Sequence, residues 1–259
     1  MSDDILLRDD TDGVAHLTLN RPQQRNALSV GLMAALLDAL DAIAADPKIH
    51  VVVIDANGPA FCAGHDLKEI RANPGRSNYD DLFEQCSRLM TGIVTLPKPV
   101  IASVQGIATA AGCQLVASCD LAVASQDARF ATPGVNIGLF CSTPMVALSR
   151  NVARKHAMEM LLTGEMVDAE TAQGMGLLNR VVEGDALKSA TMELAAKIAS
   201  KSPLTLAVGK EAFYRQLEMP LGEAYAYASR VMAENMMARD AEEGIDAFLQ
   251  KRPPVWRGE

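Results

Sequence analysis

The sequence predicts an α/β protein, and three observations carry that expectation. Short β-branched runs recur at 50–55, Val100–Val104 and 121–124, each the length of a strand buried on both faces. Helical or small-residue segments stand between them, the alternation expected of helices packed on sheets. From 185 to 250 the periodicity turns almost wholly helical.

Taken in order, Val14–Leu19 alternates as a strand does and stops at Asn20, Arg21 and Pro22, a turn signal. Ser29 suits a helix cap. Met33, Leu36, Leu37, Leu40 and Ile43 follow at helical spacing, and Asp46 with Pro47 ends the helix. After the strand at 50–55, Asp66 suits another N-cap, with Glu69 as its capping-box partner. Residues 108–118 are small and apolar enough for a buried helix. In the last third, Leu221, Ala224, Tyr225, Ala228, Val231 and Met232 mark a helix, and Pro203 and Pro220 separate its neighbours. Met232, Met236 and Met237 fit a core or a subunit interface, the core being favoured for methionine's adaptability. The chain thus divides into an α/β core over 1–200 and a helical region over 201–259.

A chain of 259 residues can bury about 70–75% of its unfolded surface around one core. The formal charge of −8 provides no broad basic field, so neither nucleic acid nor an anionic membrane is an expected partner. Five cysteines, odd in number and without a C-x-x-C pair, read as thiols in a reducing compartment. Residues 1–10 are acidic and lack the features of a secretory or mitochondrial leader, and no run approaches 18 apolar residues. The expected location is the cytosol. There is no phosphate-binding G-x-x-x-x-G-K-[ST] loop, no G-x-S-x-G elbow and no H-E-x-x-H helix.

Two small-residue segments follow buried strands and open helices. The first runs Ala63, Gly64, His65, Asp66, Leu67, Lys68, Glu69; the second runs from Gly106 to Gln114 as GIATAAGCQ. Backbone N–H groups exposed at such strand-to-helix junctions can hold an oxyanion. Together with Arg25-Asn26-Ala27-Leu28, Arg129-Phe130-Ala131-Thr132-Pro133, Leu162-Thr163-Gly164-Glu165 and Phe248-Leu249-Gln250-Lys251, these segments resemble the enoyl-CoA hydratase/isomerase, or crotonase, superfamily over essentially the whole chain. The run Cys141-Ser142-Thr143-Pro144 and the segment 154–165 are similar to one branch of it.

The resemblance implies a spiral of β-β-α units with a C-terminal helical region used for trimerisation, as a homotrimer or dimer of trimers. It implies an acyl-CoA substrate, with coenzyme A arriving as part of that substrate and no permanently bound cofactor or metal. The backbone amides of His65 and Ala111 would polarise the thioester carbonyl. Arg25, Ala27, Ala63, Asp66 and Leu67 would lie along the coenzyme, and Phe248 and Lys251 would approach a neighbour's nucleotide. Without the resemblance, Arg25 and Lys251 read as solvated surface charges.

The chain departs from the family at the two glutamates that serve hydration. Their positions hold Gln114, which cannot take up a proton at neutral pH, and Gly134, which has no side chain. Each acid or base contributes about 10²–10⁴ to rate, so a plain hydratase mechanism is not expected. His65 adjoins the hole as a candidate substitute, although a ring turned to solvent or nucleotide is the favoured reading. Cys113 and Cys141 read as small buried groups before nucleophiles. The leading expectation is an acyl- or enoyl-CoA protein working through a stabilised oxyanion or enolate. A thioester hydrolase or decarboxylase of the same fold, and a non-catalytic acyl-CoA binder, are its rivals.

Overall fold

The computed structural model describes residues 4–259. Ten strands and eleven α-helices are found there. The strands are β1 (Leu6–Thr11), β2 (Val14–Leu19), β3 (Val51–Ala56), β4 (Ala60–Cys62), β5 (Val100–Val104), β6 (Ile107–Thr109), β7 (Leu121–Ser125), β8 (Arg129–Ala131), β9 (Val167–Asp168) and β10 (Arg180–Val182). The helices of the first two thirds are α1 (Val30–Ala45), α2 (Leu67–Ala72), α3 (Arg76–Thr95), α4 (Ala111–Ser118), α5 (Pro144–Asn151), α6 (Arg154–Thr163) and α7 (Ala169–Gly174). Helices α8 (Leu187–Ala199), α9 (Pro203–Gln216), α10 (Leu221–Met236) and α11 (Arg239–Gln250) follow.

From β3 to β8 successive strands alternate between two sheets. A six-stranded sheet has the order β1-β2-β3-β5-β7-β10, and a four-stranded sheet has the order β4-β6-β8-β9. The chain thus passes β3, β4, then helix; β5, β6, then helix; β7, β8, then helix, which is a spiral of β-β-α turns. Pairing is parallel except at β1–β2 and β8–β9. Buried β-branched runs make this possible: β5 is buried at every residue, as a parallel strand covered on both faces requires.

The Ser29 hydroxyl accepts from the Leu32 N–H at 3.1 Å and starts α1 where the sequence placed a cap. The Asp66 carboxylate likewise accepts from the N–H groups of Lys68 and Glu69. Glu69 does not complete a capping box, however. Its carboxylate reaches across to the Val30 N–H at 3.0 Å and ties α2 to the start of α1. The helix expected over 108–118 is shorter, because Ile107–Thr109 pairs with β4 and β8 as β6. Met232, Met236 and Met237 are exposed, contrary to the core placement favoured above: the apolar face of α10 has no cover within one chain.

The helical region is locked to the core by Lys210 of α9. Its buried ammonium donates to the Ile93 and Lys98 carbonyls and to Asp120 Oδ2 at 2.7 Å. Asp120 also accepts from Tyr214 Oη and from the Val100 N–H. No helix of the described residues is long and apolar enough to cross a membrane.

Candidate active site

Glycines bring the two candidate loops together. A Cβ built on Gly112 would lie 2.1 Å from the Cys62 carbonyl oxygen, and one on Gly106 would lie 2.3 Å from that of Pro59. Only hydrogen in place of a side chain allows α4 and β6 to approach β4 so closely. Gly64, at φ +93°, is equally tight: its Cβ would stand 2.9 Å from Ala110 Cβ and 3.4 Å from the Ala111 nitrogen. The amides of His65 and Ala111 are neighbours in consequence.

Both amides are left without an acceptor among the described residues, for backbone reasons. Leu28 brackets His65 in a parallel bridge. Its N–H donates to the Gly64 carbonyl and its carbonyl accepts from the Asp66 N–H, so the His65 N–H falls outside the ladder. At the second loop the Ala110 N–H goes to the Ala131 carbonyl and the Gln114 N–H to that of Ala110. Ala111, at the first position of α4, keeps the orphan donor of a helix start. The residue in an unusual conformation is Ala110, at φ 51° and ψ −119°, while Ala111 is ordinary helix with a buried methyl. Such a backbone costs about 1–3 kcal/mol and persists where neighbours enforce it; here it aims the next N–H outward.

The His65 ring turns inward, which corrects the expectation that it faces solvent or nucleotide. It stacks edge-on against Phe83 at 5.6 Å, and neither ring nitrogen has a hydrogen-bond partner among the described residues. Burial pushes its pKa down, opposed in part by the nearby Leu28 carbonyl, and so favours the neutral ring. Gln114, on the inner face of α4, is buried, and its Oε1 faces Cys86 Sγ at 3.9 Å. Gly134 sits in the 3-10 turn Pro133–Ile137, where the segment after it folds back. A Cβ there would meet the Leu139 carbonyl oxygen at 2.7 Å and Cys141 Sγ at 2.9 Å.

The thiols are poor nucleophiles. Burial pushes Cys62 and Cys113 up to about 12 and Cys86 up to about 11, and it raises Cys141 as well. Among the described residues no group of three His, Cys, Asp or Glu side chains could hold a metal ion.

Of the residues expected along the coenzyme, Arg25 is exposed and its carbonyl accepts from the Ala63 N–H at 3.0 Å, so the 25–27 and 63–65 segments are stitched together. Ala27 is buried and Leu67 exposed. The Asp66 side chain is committed to structure. Burial alone would raise its carboxyl, yet the Arg21 guanidinium at 3.0 Å and the backbone N–H groups of α2 hold it below the usual range. Phe248 and Lys251 are exposed at the end of α11, far along the chain from these loops. Sequence reasoning missed Asn26, fully buried at φ 53°. Its amide donates to the Asn57 and Ala60 carbonyls and its Oδ1 accepts from the Arg21 N–H. The motif Arg25-Asn26-Ala27 carried that signal, because asparagine is tolerated in the left-handed region.

An α/β spiral with two unpaired amides at adjoining strand-to-helix junctions defines the crotonase class of fold. The profile of the family described as Enoyl-CoA hydratase/isomerase matches residues 9–259, and the chain belongs to that family. Its place within the family is the branch named enoyl-CoA hydratase domain-containing protein 3. The mitochondrial protein of that name from Xenopus laevis is 52% identical over 94% of this chain and 83% of its own length. Its Homo sapiens counterpart, also named as mitochondrial, is 50% identical over 96% and 82%. A crystal structure of an enoyl-CoA hydratase from Mycobacterium smegmatis superimposes with a TM-score of 0.96 at 56% identity, covering 98% of this chain and 99% of the other. The mitochondrial names overturn the cytosolic expectation. That expectation rested on residues 1–10 and on free thiols, and free thiols suit any reducing compartment.

Proposed function

We propose that the chain binds an acyl- or enoyl-CoA thioester with its carbonyl oxygen between the His65 and Ala111 amides, and that it works through a stabilised oxyanion or enolate without a glutamate pair. The observation that carries this reading is the pair of N–H donors left unpaired side by side. Charge developing on a thioester oxygen would be met by donors already in place, each worth about 10²–10³ in rate. The family's printed description and the names of its relatives support a coenzyme A substrate.

Hydration by two carboxylates has no support at this site. Gln114 offers an amide, and Gly134 is covered by the Leu139 carbonyl and Cys141 Sγ. A second reading, thioester hydrolysis or decarboxylation, is favoured by His65. Its two partnerless ring nitrogens can be satisfied by a polar group of the bound acyl portion, the neutral ring donating from one nitrogen and accepting at the other. We also propose assembly through the exposed apolar residues of α10 and α11, including Tyr225, Met232 and Phe248, as a trimer or dimer of trimers. Phe248 and Lys251 would then lie near a neighbour's nucleotide.

The test is calorimetric titration with coenzyme A and with a non-reactive S-alkyl-CoA thioether. The thioether lacks the carbonyl, so it should bind like free coenzyme A, and a true thioester should bind more tightly. Equal affinity for thioester and thioether would remove the oxyanion hole from the account. Light scattering that finds a monomer would remove the assembly.

A further inference from the structure

Gln114 lies three residues after Ala111 on α4, one helical turn on and along the same face. A helical Cα–Cβ bond tilts towards the N-terminus, so a long side chain at 114 reaches back over the turn from which the Ala111 N–H emerges. One turn rises about 5.4 Å, and the tilt brings the side-chain amide and the backbone amide closer than that. A glutamate at this position would present only acceptors at neutral pH, whereas glutamine presents a donor as well.

Only one end of that amide is already engaged. Gln114 is 4% exposed, and its Oε1 faces the Cys86 thiol of α3 at 3.9 Å. Burial keeps this thiol protonated by pushing it up to about 11. The Gln114 Nε2 donates to no acceptor among the described residues, and it is not among the unpartnered side-chain atoms closed off from solvent. Water satisfies an open donor of this kind until a ligand displaces it. From then on the ligand must supply the acceptor, or the donor is left unpaired. The donor is neutral and no cation is bonded to it, so a carbonyl oxygen suits it better than a carboxylate, which would be buried without a counter-charge. A hydroxyl also suits it less well, since it brings a proton of its own while Oε1 already takes the Cys86 S–H.

We propose that Gln114 is a specificity-determining residue that selects 3-oxoacyl-CoA thioesters, its Nε2 donating to the C3 oxygen while the His65 and Ala111 amides take the thioester oxygen. The two oxygens of such an acyl group sit on alternate carbons, a separation that donors within one helical turn can span. The inference rests on the thioester reading above and adds to it the class of acyl group.

Calorimetric titration of the full chain tests it by comparing acetoacetyl-CoA with butyryl-CoA, which has the same chain length and no C3 oxygen, and with 3-hydroxybutyryl-CoA. Acetoacetyl-CoA should bind about 5- to 150-fold more tightly than butyryl-CoA, the range expected where the donor is otherwise left unpaired. It should also bind more tightly than the hydroxy thioester. Gln114→Met keeps the length of the side chain and removes the donor, so acetoacetyl- and butyryl-CoA should then bind alike. Gln114→Glu should invert the preference, because a carboxylate repels the C3 oxygen. The readout is a ratio of affinities within one variant, which misfolding does not move because it weakens both ligands together. Equal binding of the two thioesters by the unmodified chain, a preference that Gln114→Met leaves intact, or tightest binding of the hydroxy thioester would each overturn the assignment. In those cases the thioester reading still stands if butyryl-CoA binds more tightly than S-butyl-CoA. Equal binding of butyryl-CoA and S-butyl-CoA would overturn that reading itself, and the assignment with it.

Discussion

Substituting Gly134 by alanine adds a single methyl group to the 3-10 turn after β8, and the structure sets its cost. Gly134 is not in the left-handed region, so removing glycine's freedom in the unfolded chain should by itself stabilise by about 0.4–1 kcal/mol. Sterics oppose this. The new Cβ would lie 2.7 Å from the Leu139 carbonyl oxygen, 2.9 Å from Cys141 Sγ and 3.3 Å from the Cys141 nitrogen. One obstacle is backbone, held by the hydrogen bond from the Leu139 N–H to the Gly134 carbonyl, so the segment must move as a unit. Overpacking of this kind costs about 1–3 kcal/mol. After the opposing gain the net loss is up to about 2.6 kcal/mol, which for a chain of this length lowers Tm by up to roughly 10 °C. Thermal unfolding followed by circular dichroism measures it. Cys141→Ala in the same background removes the sulfur contact but not the carbonyl, so it should recover part of the loss, with a coupling of about 0.5 kcal/mol or more. A raised Tm for Gly134→Ala would refute the reasoning, since a side chain, and then a carboxylate, could be housed there. The position where the resemblance implies a second glutamate would then have space for one.

Other expectations follow from the same geometry. Lys210→Ala strips the buried Asp120 carboxylate of its cation and should destabilise by about 3–5 kcal/mol in urea unfolding; a loss under 1 kcal/mol would mean that α9 is held by other contacts. The His65 pKa is depressed by burial, so the unfolded chain binds the extra proton first. Its contribution to stability is full above about pH 6.5 and is lost as pH falls below that value. His65→Gln should flatten the stability profile in that window, and an unaltered profile would place the ring in water. Ala110→Gly relieves the φ of 51° and should raise stability by about 1 kcal/mol in denaturant titrations. A loss of stability would show that the alanine conformation carries no strain.

Much of the fold could be read from local patterns because local physics decides it. The Ser29 cap, the stop at Asp46 and the buried runs at β3, β5 and β7 depend on residues close in sequence. The two-sheet spiral followed from the family resemblance and not from periodicity, since β4, β6 and β8 are only three residues long. Such strands are defined by their neighbours, and for that reason Ala108 and Thr109 read as helix. Glu69 reaching the Val30 N–H and Lys210 reaching Asp120 are long-range choices with no local signal. At the site, Gln114 and Gly134, at the positions where the resemblance implies glutamates, were plain as letters. The folded-back segment 139–141 over Gly134 and the inward His65 ring were not, because each depends on which of several apolar surfaces a short side chain meets. The outer apolar face of α10 misled the methionine placement for the same reason: periodicity marks a buried stripe without saying what buries it.

The central claim is that a thioester is held in a backbone oxyanion hole where no carboxylate pair can add water. The most direct measurement follows the ultraviolet absorbance of a conjugated enoyl-CoA mixed with the protein at a concentration that calorimetry has shown to saturate it. The account predicts binding with a persistent conjugated band. A steady loss of that band in proportion to protein, with 3-hydroxyacyl-CoA as the product, would contradict it and would require a proton-transfer group that Gln114 and Gly134 do not supply.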